Sequence, residues 1–455
     1  MSLLAAHFND AAISVLDGER ILYREPGFAL LEEDKLTSGN AAFAMSRMKP
    51  RHIQNAYWSN LQNVALTDQR FRHLTSADLA SRQLEQIWAA VAGHGDRLVV
   101  AVPAYMNTGN LALLLGIAAE LGIPVVALVD AAVAATRREY RDAVPVHVDL
   151  SLHSTLLTRI AQPGLVQVER TEVIEDSGLL ALHDAWIRVI AEAFVQQSRF
   201  DPLHTAETEQ ALHSQLASWI GSASADNIVT MSLEYRGVSH AAEIESLQLI
   251  AAAAPVYQRI VSRLRALYRA DETPAIQLSD RVAAMPGLAD MLVARVGGQV
   301  FLQEPGATAR GLIARCRDMQ VAEGGVSLLR QLPWDQAAIS VQRSPSAVHS
   351  GRPTHVLFNS IAYEINGEPL SLGSQPEVDS RWIDLQSSMP GVSRRHCVLQ
   401  SENGQCVLRD FSRYGTFLNG HQIDGSAVLQ VGDQIRLGTP GFELSLITVE
   451  HANGA

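Results

Sequence analysis

Lysine is almost missing from this 455-residue chain, in which Lys35 and Lys49 are the only two. Many phosphate sites place a lysine ammonium against phosphate oxygens, so a site of that kind here must rely on arginine, backbone N–H groups or a metal. Cysteine is scarce too. Cys316, Cys397 and Cys406 form an odd set without metal-ligand spacing, which does not suit a disulfide framework and offers no zinc motif. Long apolar runs are absent: no stretch reaches the roughly eighteen residues of a membrane span, and residues 1–7 lack a basic segment leading into an apolar one. A soluble, cytoplasmic protein is expected. The formal charge of −12 argues against a bulk attraction to nucleic acid or anionic lipid, because neutralising phosphates takes a cationic face.

What remains is apolar enough to fold well. Hydrophobic residues make up 47% and charged residues 18%, which excludes a mainly disordered chain, and the length implies roughly two to three domains.

From Pro353 onward the pattern becomes short alternating strands. Residues 355–358, 361–365, 370–372, 382–385, 397–399 and 406–410 are punctuated by Asn366-Gly367, Asn403-Gly404, Asn419-Gly420 and Asp424-Gly425. Such pairs suit tight turns because they tolerate positive φ. Period-two strands with these turns predict an antiparallel sandwich. Ser393-Arg-Arg-His396, Leu408-Arg-Asp410, Ser412-Arg-Tyr-Gly-Thr416 and Val431-Gly-Asp433 follow in order, and with them the segment resembles the forkhead-associated (FHA) family. The resemblance implies phosphothreonine recognition by a Ser in the Ser-x-x-His loop, by an Arg after a Gly, and by an Asn before Gly-Thr. Ser393 and His396 match. The Gly-Arg position reads Gly373-Ser374 and the Asn position reads Tyr414, so two expected contacts are gone. Ser393, Arg394, Arg395 and Arg413 are the candidate phosphopeptide-binding residues, since guanidinium groups make charge-assisted bonds to a dianion. His396, Gly415, Thr416 and Asn419 are assigned structural roles in the loops.

Upstream, Arg97 to Pro103 reads as a buried strand, Asn107 or Thr108 caps a helix bearing Leu111, Leu114, Leu115 and Ala118, and Gly122 ends it before a second strand at 124–128. That crossover predicts a parallel α/β sheet. The segments 102–107, 118–122 and 128–135, with later matches to about Arg317, resemble the nucleotide-binding domain of seventy-kilodalton heat-shock proteins, in the actin-like ATPase superfamily. The resemblance implies a two-lobed body gripping ATP and magnesium with two glycine-rich hairpins. Here residues 4–15 contain no glycine, and the second hairpin reads Ser151-Leu-His-Ser-Thr155 after Asp149. Side chains there would occupy the phosphate space. The adenosine turn reads Leu278-Ser-Asp-Arg281, and Trp219, the one aromatic placed to stack on a base, suits a helix core. Asp130 and Asp149 are the only candidate catalytic carboxylates, with capping and loop bonding as the alternative. No metal site is expected.

The expected organisation is a heat-shock/actin-like α/β body at 1–320, a linker at 321–352 and an all-β FHA sandwich at 353–450. The expected function is a non-catalytic adaptor or scaffold binding a protein partner, with phosphothreonine dependence left open and no cofactor. The alternatives are a divergent ATPase using ATP and magnesium under FHA control, or an actin-like assembly subunit.

Overall fold

In a computed structural model the chain is described at residues 2–318, 326–341 and 353–447, apart from positions 34, 225, 270, 359–360, 376–380, 386–391, 403, 419–420, 431–432 and 439–441. It divides into two units, Met1–Arg343 and Ser344–Ala455.

The first unit is mixed α/β and contains two sheets with the same wiring. In one, strand Leu3–His7 pairs antiparallel with Ile13–Asp17, which pairs with Arg20–Glu25. On its other side Leu3–His7 runs parallel to Arg97–Val102, which is followed by Val125–Asp130. In the other, Val144–Leu150 pairs antiparallel with Ser154–Ala161 and then Val166–Glu175. It runs parallel to Pro274–Leu278, and Gln299–Leu302 comes next. Each sheet is therefore an antiparallel three-strand meander whose first strand starts a parallel run.

Local chemistry accounts for the elements. Arg97–Val102 is covered on both faces, so it reads as a continuous apolar run rather than an alternating one. Helix Thr108–Glu120 starts at Asn107, whose side chain accepts from the Gly109 and Asn110 amides while Asn110 bonds back to the Asn107 amide. This reciprocal cap satisfies amides that have no partner within the helix. Gly122, at φ 67°, takes the left-handed turn that glycine permits. Helices Leu179–Ser198, Ala206–Ala223 and Ser246–Ala266 pack with the hairpin Ile228–Tyr235/Val238–Glu245, which buries Val229, Met231 and Leu233. Trp219 belongs to this core, 7% exposed and 6.2 Å from the Phe194 ring.

The expected linker begins later than the sequence suggests. Ser327–Leu329 pairs parallel with Val125–Asp130 in the first sheet. Gln331–Leu332 pairs with Val166–Glu175 in the second, and Ile339–Ser340 pairs with Tyr140–Arg141. Trp334 packs half-buried against the core cluster that includes Val129 and Leu312. These strands are two or three residues long, too short to show a period, so a reading from composition takes the segment for a loop. Residues 321–325 and 342–352 of the expected linker lie outside the described residues.

The second unit is a β-sandwich. One sheet runs in the order Ile361–Glu364, His355–Phe358, Phe442–Ile447, Gln434–Leu437, Thr416–Leu418, His421–Gln422. The other runs Arg381–Asp384, Leu370–Gly373, Cys397–Glu402, Gln405–Asp410, Ser426–Leu429. Val356, Leu372, Leu399, Leu408, Ile435 and Leu444 fill the space between them. Each such side chain is worth about 1.5–3 kcal/mol when taken out of water. Cys397 and Cys406 are buried in this core and form no disulfide.

Candidate functional site

The loops at one end of the sandwich gather the residues singled out in sequence. Strand Leu370–Gly373 ends where its backbone meets the loop before Cys397–Glu402 so closely that a Cβ on Gly373 would lie 1.9 Å from the Arg394 carbonyl oxygen. Only glycine fits there. The contact is completed by the Ser374 amide donating to the Ser393 carbonyl at 3.2 Å and the Gln375 amide to the Arg394 carbonyl at 3.3 Å.

His396 is the internal brace. It is fully buried, its Nδ1 accepts from the Ser393 amide at 3.1 Å, and its Nε2 faces the Gly415 carbonyl at 3.2 Å. Because Nδ1 accepts, the neutral ring carries its proton on Nε2 and donates it to Gly415. Burial lowers its pKa from the usual histidine value, against a smaller upward push from the Gly415 bond and Asp410. The same loops are tied by Asp410, whose Oδ1 accepts from the Ser412 amide at 2.9 Å and the Thr416 hydroxyl at 2.8 Å. Burial alone would push the Asp410 carboxyl up, but these donors outweigh it and hold it below the usual range. Thr416 is fully buried and Gly415 sits at φ 85°. Asn419 lies outside the described residues.

Ser393 is half-buried, and its Oγ accepts from the Arg413 amide at 2.9 Å. That bond fixes the oxygen while leaving the hydroxyl hydrogen to donate elsewhere. Arg394, Arg395 and Arg413 are exposed around it. The Arg395 guanidinium lies 4.6 Å from the centroid of the Phe411 ring. Phe411 and Tyr414 are 52% and 54% exposed. The four candidate binding residues thus lie on two loops that Ser393 joins. The sequence reading passed over Phe411, and it quoted Asp410 within the Leu408-Arg-Asp410 motif without giving it a role. An aromatic placed directly after the last strand residue, in a polar loop, was the available signal for the first, and an Asp two residues before Ser412 was the signal for the second.

In the α/β unit the ends of strands Leu3–His7 and Val144–Leu150 approach each other. Asn9 Nδ2 donates to Asp149 Oδ2 at 2.8 Å and to the Leu150 carbonyl at 3.1 Å, and the Leu152 amide donates to Asp10 Oδ1 at 2.8 Å. Arg281, only 9% exposed, places Nη2 3.5 Å from Asp149 Oδ2 and donates to His7 Nδ1 at 3.3 Å. The neutral His7 ring then carries its proton on Nε2, which faces Asp149 at 3.6 Å. Arg24 reaches across from the first sheet to Asp280 at 2.9 Å.

Charge and burial compete in this cluster. Burial would push Asp149 up, but the Arg281 guanidinium prevails and holds the carboxyl well below the usual range. His7 is lowered to about 4 by burial and then by Arg281. Asp10 is raised to about 6 by burial, opposed by its bond from Leu152. Beside the cluster, His7, Ser14, Arg24, Asp280, Arg281 and Thr308 line a crevice of about 10 Å³, room for about one water molecule.

Asp130 has no contact with Asp149. It is the N-cap of helix Ala131–Ala135, with Oδ1 accepting from the Ala132 amide at 2.9 Å, and burial raises its pKa. Among the described residues no group of three or more His, Cys, Asp or Glu is placed to hold a metal, and no helix is long and apolar enough to cross a membrane.

Comparison with known proteins converges on the sandwich. The FHA domain family model matches residues 370–438. The glycogen accumulation regulator GarA of Mycolicibacterium smegmatis is 31% identical over 127 residues, which is 28% of this chain and 68% of GarA. FHA domains bind phosphothreonine-containing protein partners. Sandwich, Ser393-x-x-His396 loop, family match and GarA likeness agree: the chain belongs to the FHA-domain family.

Proposed function

We propose that this protein is a non-catalytic adaptor whose FHA unit docks a phosphothreonine-containing protein. The observation that carries this reading is the Ser393 hydroxyl, fixed by the Arg413 amide at 2.9 Å among three exposed arginines. An oriented O–H and guanidinium groups are the donors a phosphate dianion takes. They offer a substitute for the guanidinium that Ser374 lacks. GarA is by name a regulator, which fits a module that acts by contact rather than by catalysis. The test is fluorescence anisotropy of the whole chain with phosphothreonine peptides and their unphosphorylated forms. Binding that requires the phosphate and is lost in Ser393→Ala supports the reading; equal binding of both forms refutes it.

The α/β unit is, in this reading, an actin-like, heat-shock-type two-lobed body acting as a pseudo-ATPase scaffold. The repeated wiring of its two sheets supports the two lobes. The Arg281–Asp149–His7 cluster supports the loss of nucleotide, because a guanidinium already neutralises the carboxylate that a magnesium nucleotide would need. Calorimetric titration with ATP and magnesium is expected to give no binding, and a micromolar Kd refutes the pseudo-ATPase reading.

A further inference from the structure

The arginines around Ser393 carry more charge than one phosphate can neutralise. Residues 353–447 contain six arginines and no lysine against ten aspartates and glutamates. Half of these cations, Arg394, Arg395 and Arg413, stand on the two loops joined by Ser393. None of the three has a carboxylate within ion-pair distance among the described residues; the pair Arg409–Glu402 at 2.8 Å lies on strands away from them. A phosphothreonine brings roughly −1.5 to −2 charges at neutral pH, which leaves a surplus of about one.

The three are not equivalent. Arg394 follows Ser393 directly, and the Arg413 amide is bonded to its hydroxyl oxygen. Arg395 is turned onto the Phe411 ring at 4.6 Å, and the Phe411 amide donates to the His396 carbonyl at 2.9 Å, so the ring sits on a fixed piece of backbone. Stacking orients a guanidinium without using its N–H edges. Arg395 is thus held ready to bind an anion, one residue further from Ser393 than Arg394.

Resting on the phosphothreonine reading above, we propose that Arg395 on its Phe411 shelf binds a second anionic group of the partner, so that the site selects phosphothreonine flanked by further negative charge. The rest of the unit carries net negative charge and repels such a peptide, so the complementary loops also set where it docks. The second group is a carboxylate or a second phosphate, and both chemistries suit the same guanidinium.

The experiment measures anisotropy of the whole chain with four peptide sets. One holds phosphothreonine in neutral flanks. The second adds aspartate at each flanking position in turn, the third replaces that aspartate by phosphoserine, and the fourth keeps the aspartates but lacks phosphothreonine. Acid at one or two positions is expected to tighten binding about threefold, the scale of an exposed charge pair. Arg395→Ala and Phe411→Leu are each expected to erase that gain, so that acidic-flank and neutral-flank phosphothreonine peptides bind the variant alike. A larger gain in the third set identifies a second phosphate, and an equal one identifies charge alone; either supports the proposal. Binding of the first set with no gain in the others, or a gain that survives Arg395→Ala, overturns it. If none of the phosphorylated sets binds, or the fourth binds as well as the second, the phosphothreonine reading itself fails and this inference with it.

Discussion

Arg281→Ala isolates the charge cluster at the centre of the α/β unit. The substitution leaves the Asp149 carboxylate buried, 2% exposed, without its guanidinium. Breaking a buried pair from one side costs about 3–5 kcal/mol. Asp149 keeps the Asn9 amide at 2.8 Å and the Leu150 amide at 2.9 Å, which places the expected loss near the lower end, about 3 kcal/mol. At about 2 °C per kcal/mol for a unit of this size, Tm falls by about 6 °C. Five of the six tryptophans, all but Trp382, belong to this unit, so urea unfolding followed by tryptophan fluorescence reports mainly on it. The pH dependence supplies an independent check. In the parent, Asp149 has a folded pKa below its unfolded one. Its contribution is therefore complete above the unfolded value of about 3.9 and is lost only as pH falls through the depressed folded value. In the variant, burial is opposed only by the Asn9 and Leu150 donors and the neighbouring His7, His147 and Ser279, and the folded pKa is expected to rise above the unfolded one. The penalty is then full at neutral pH and relieved as pH falls through the raised value. The gap between parent and variant should be widest near pH 7 and close toward pH 4. His7, freed from Arg281 and 3.6 Å from Asp149, can then protonate and narrow it further. Arg281→Met combined with Asp149→Asn should recover most of the loss. A deficit below about 1 kcal/mol, or one equal at pH 7 and pH 5, would refute the argument that this pair is what keeps the cluster charged.

Acid should also weaken the parent. His7 and His213 are lowered to about 4, His183 to about 3, and His147 and His396 in the same direction, all with burial as the main cause. Groups of this kind contribute fully above the unfolded histidine pKa, so stability should fall as pH drops from about 6.5 toward 4, with net proton uptake on unfolding. Asp10, raised to about 6, opposes this by one proton, and a flat stability profile over that range would contradict the burial argument. Ser374→Arg should tighten phosphothreonine-peptide binding about tenfold, the scale of a charge-assisted hydrogen bond; unchanged affinity in anisotropy means that the arginines across the loop already saturate the phosphate. Asp130→Ala should cost about 1 kcal/mol in urea unfolding as a lost N-cap and leave phosphate release from ATP at background. A drop in release to background from a measurable parent rate would instead make Asp130 catalytic.

Legibility in the sequence followed the range over which each signal acts. The sandwich strands alternate over four to six residues and end in residues suited to positive φ, so 355–358 and 406–410 could be placed nearly to the residue. The strand at 97–102 and its Asn107 cap are equally local. The partner of Asp149 was not legible, because Arg281 is distant in sequence and the turn containing it was read only for the glycines it lacks. Phe411 escaped for a different reason: an exposed aromatic gains meaning only when a cation is seen above it. The strands between 327 and 341, inside the span 321–352 given to the linker, were not legible because they are set entirely by the sheets they join.

That last segment also bears on how the chain comes to be folded. Ser327–Leu329 and Gln331–Leu332 complete an edge on each of the two sheets, beside residues made about two hundred and one hundred and sixty-five positions earlier. On a ribosome adding roughly 5–20 residues per second, the early strands wait on the order of ten seconds or more for these partners. During that time the edges at Val125–Asp130 and Val166–Glu175 stay open to pairing with other chains. The α/β unit can close only as synthesis of the sandwich begins, and a chain cut at 320 would keep both edges open for good.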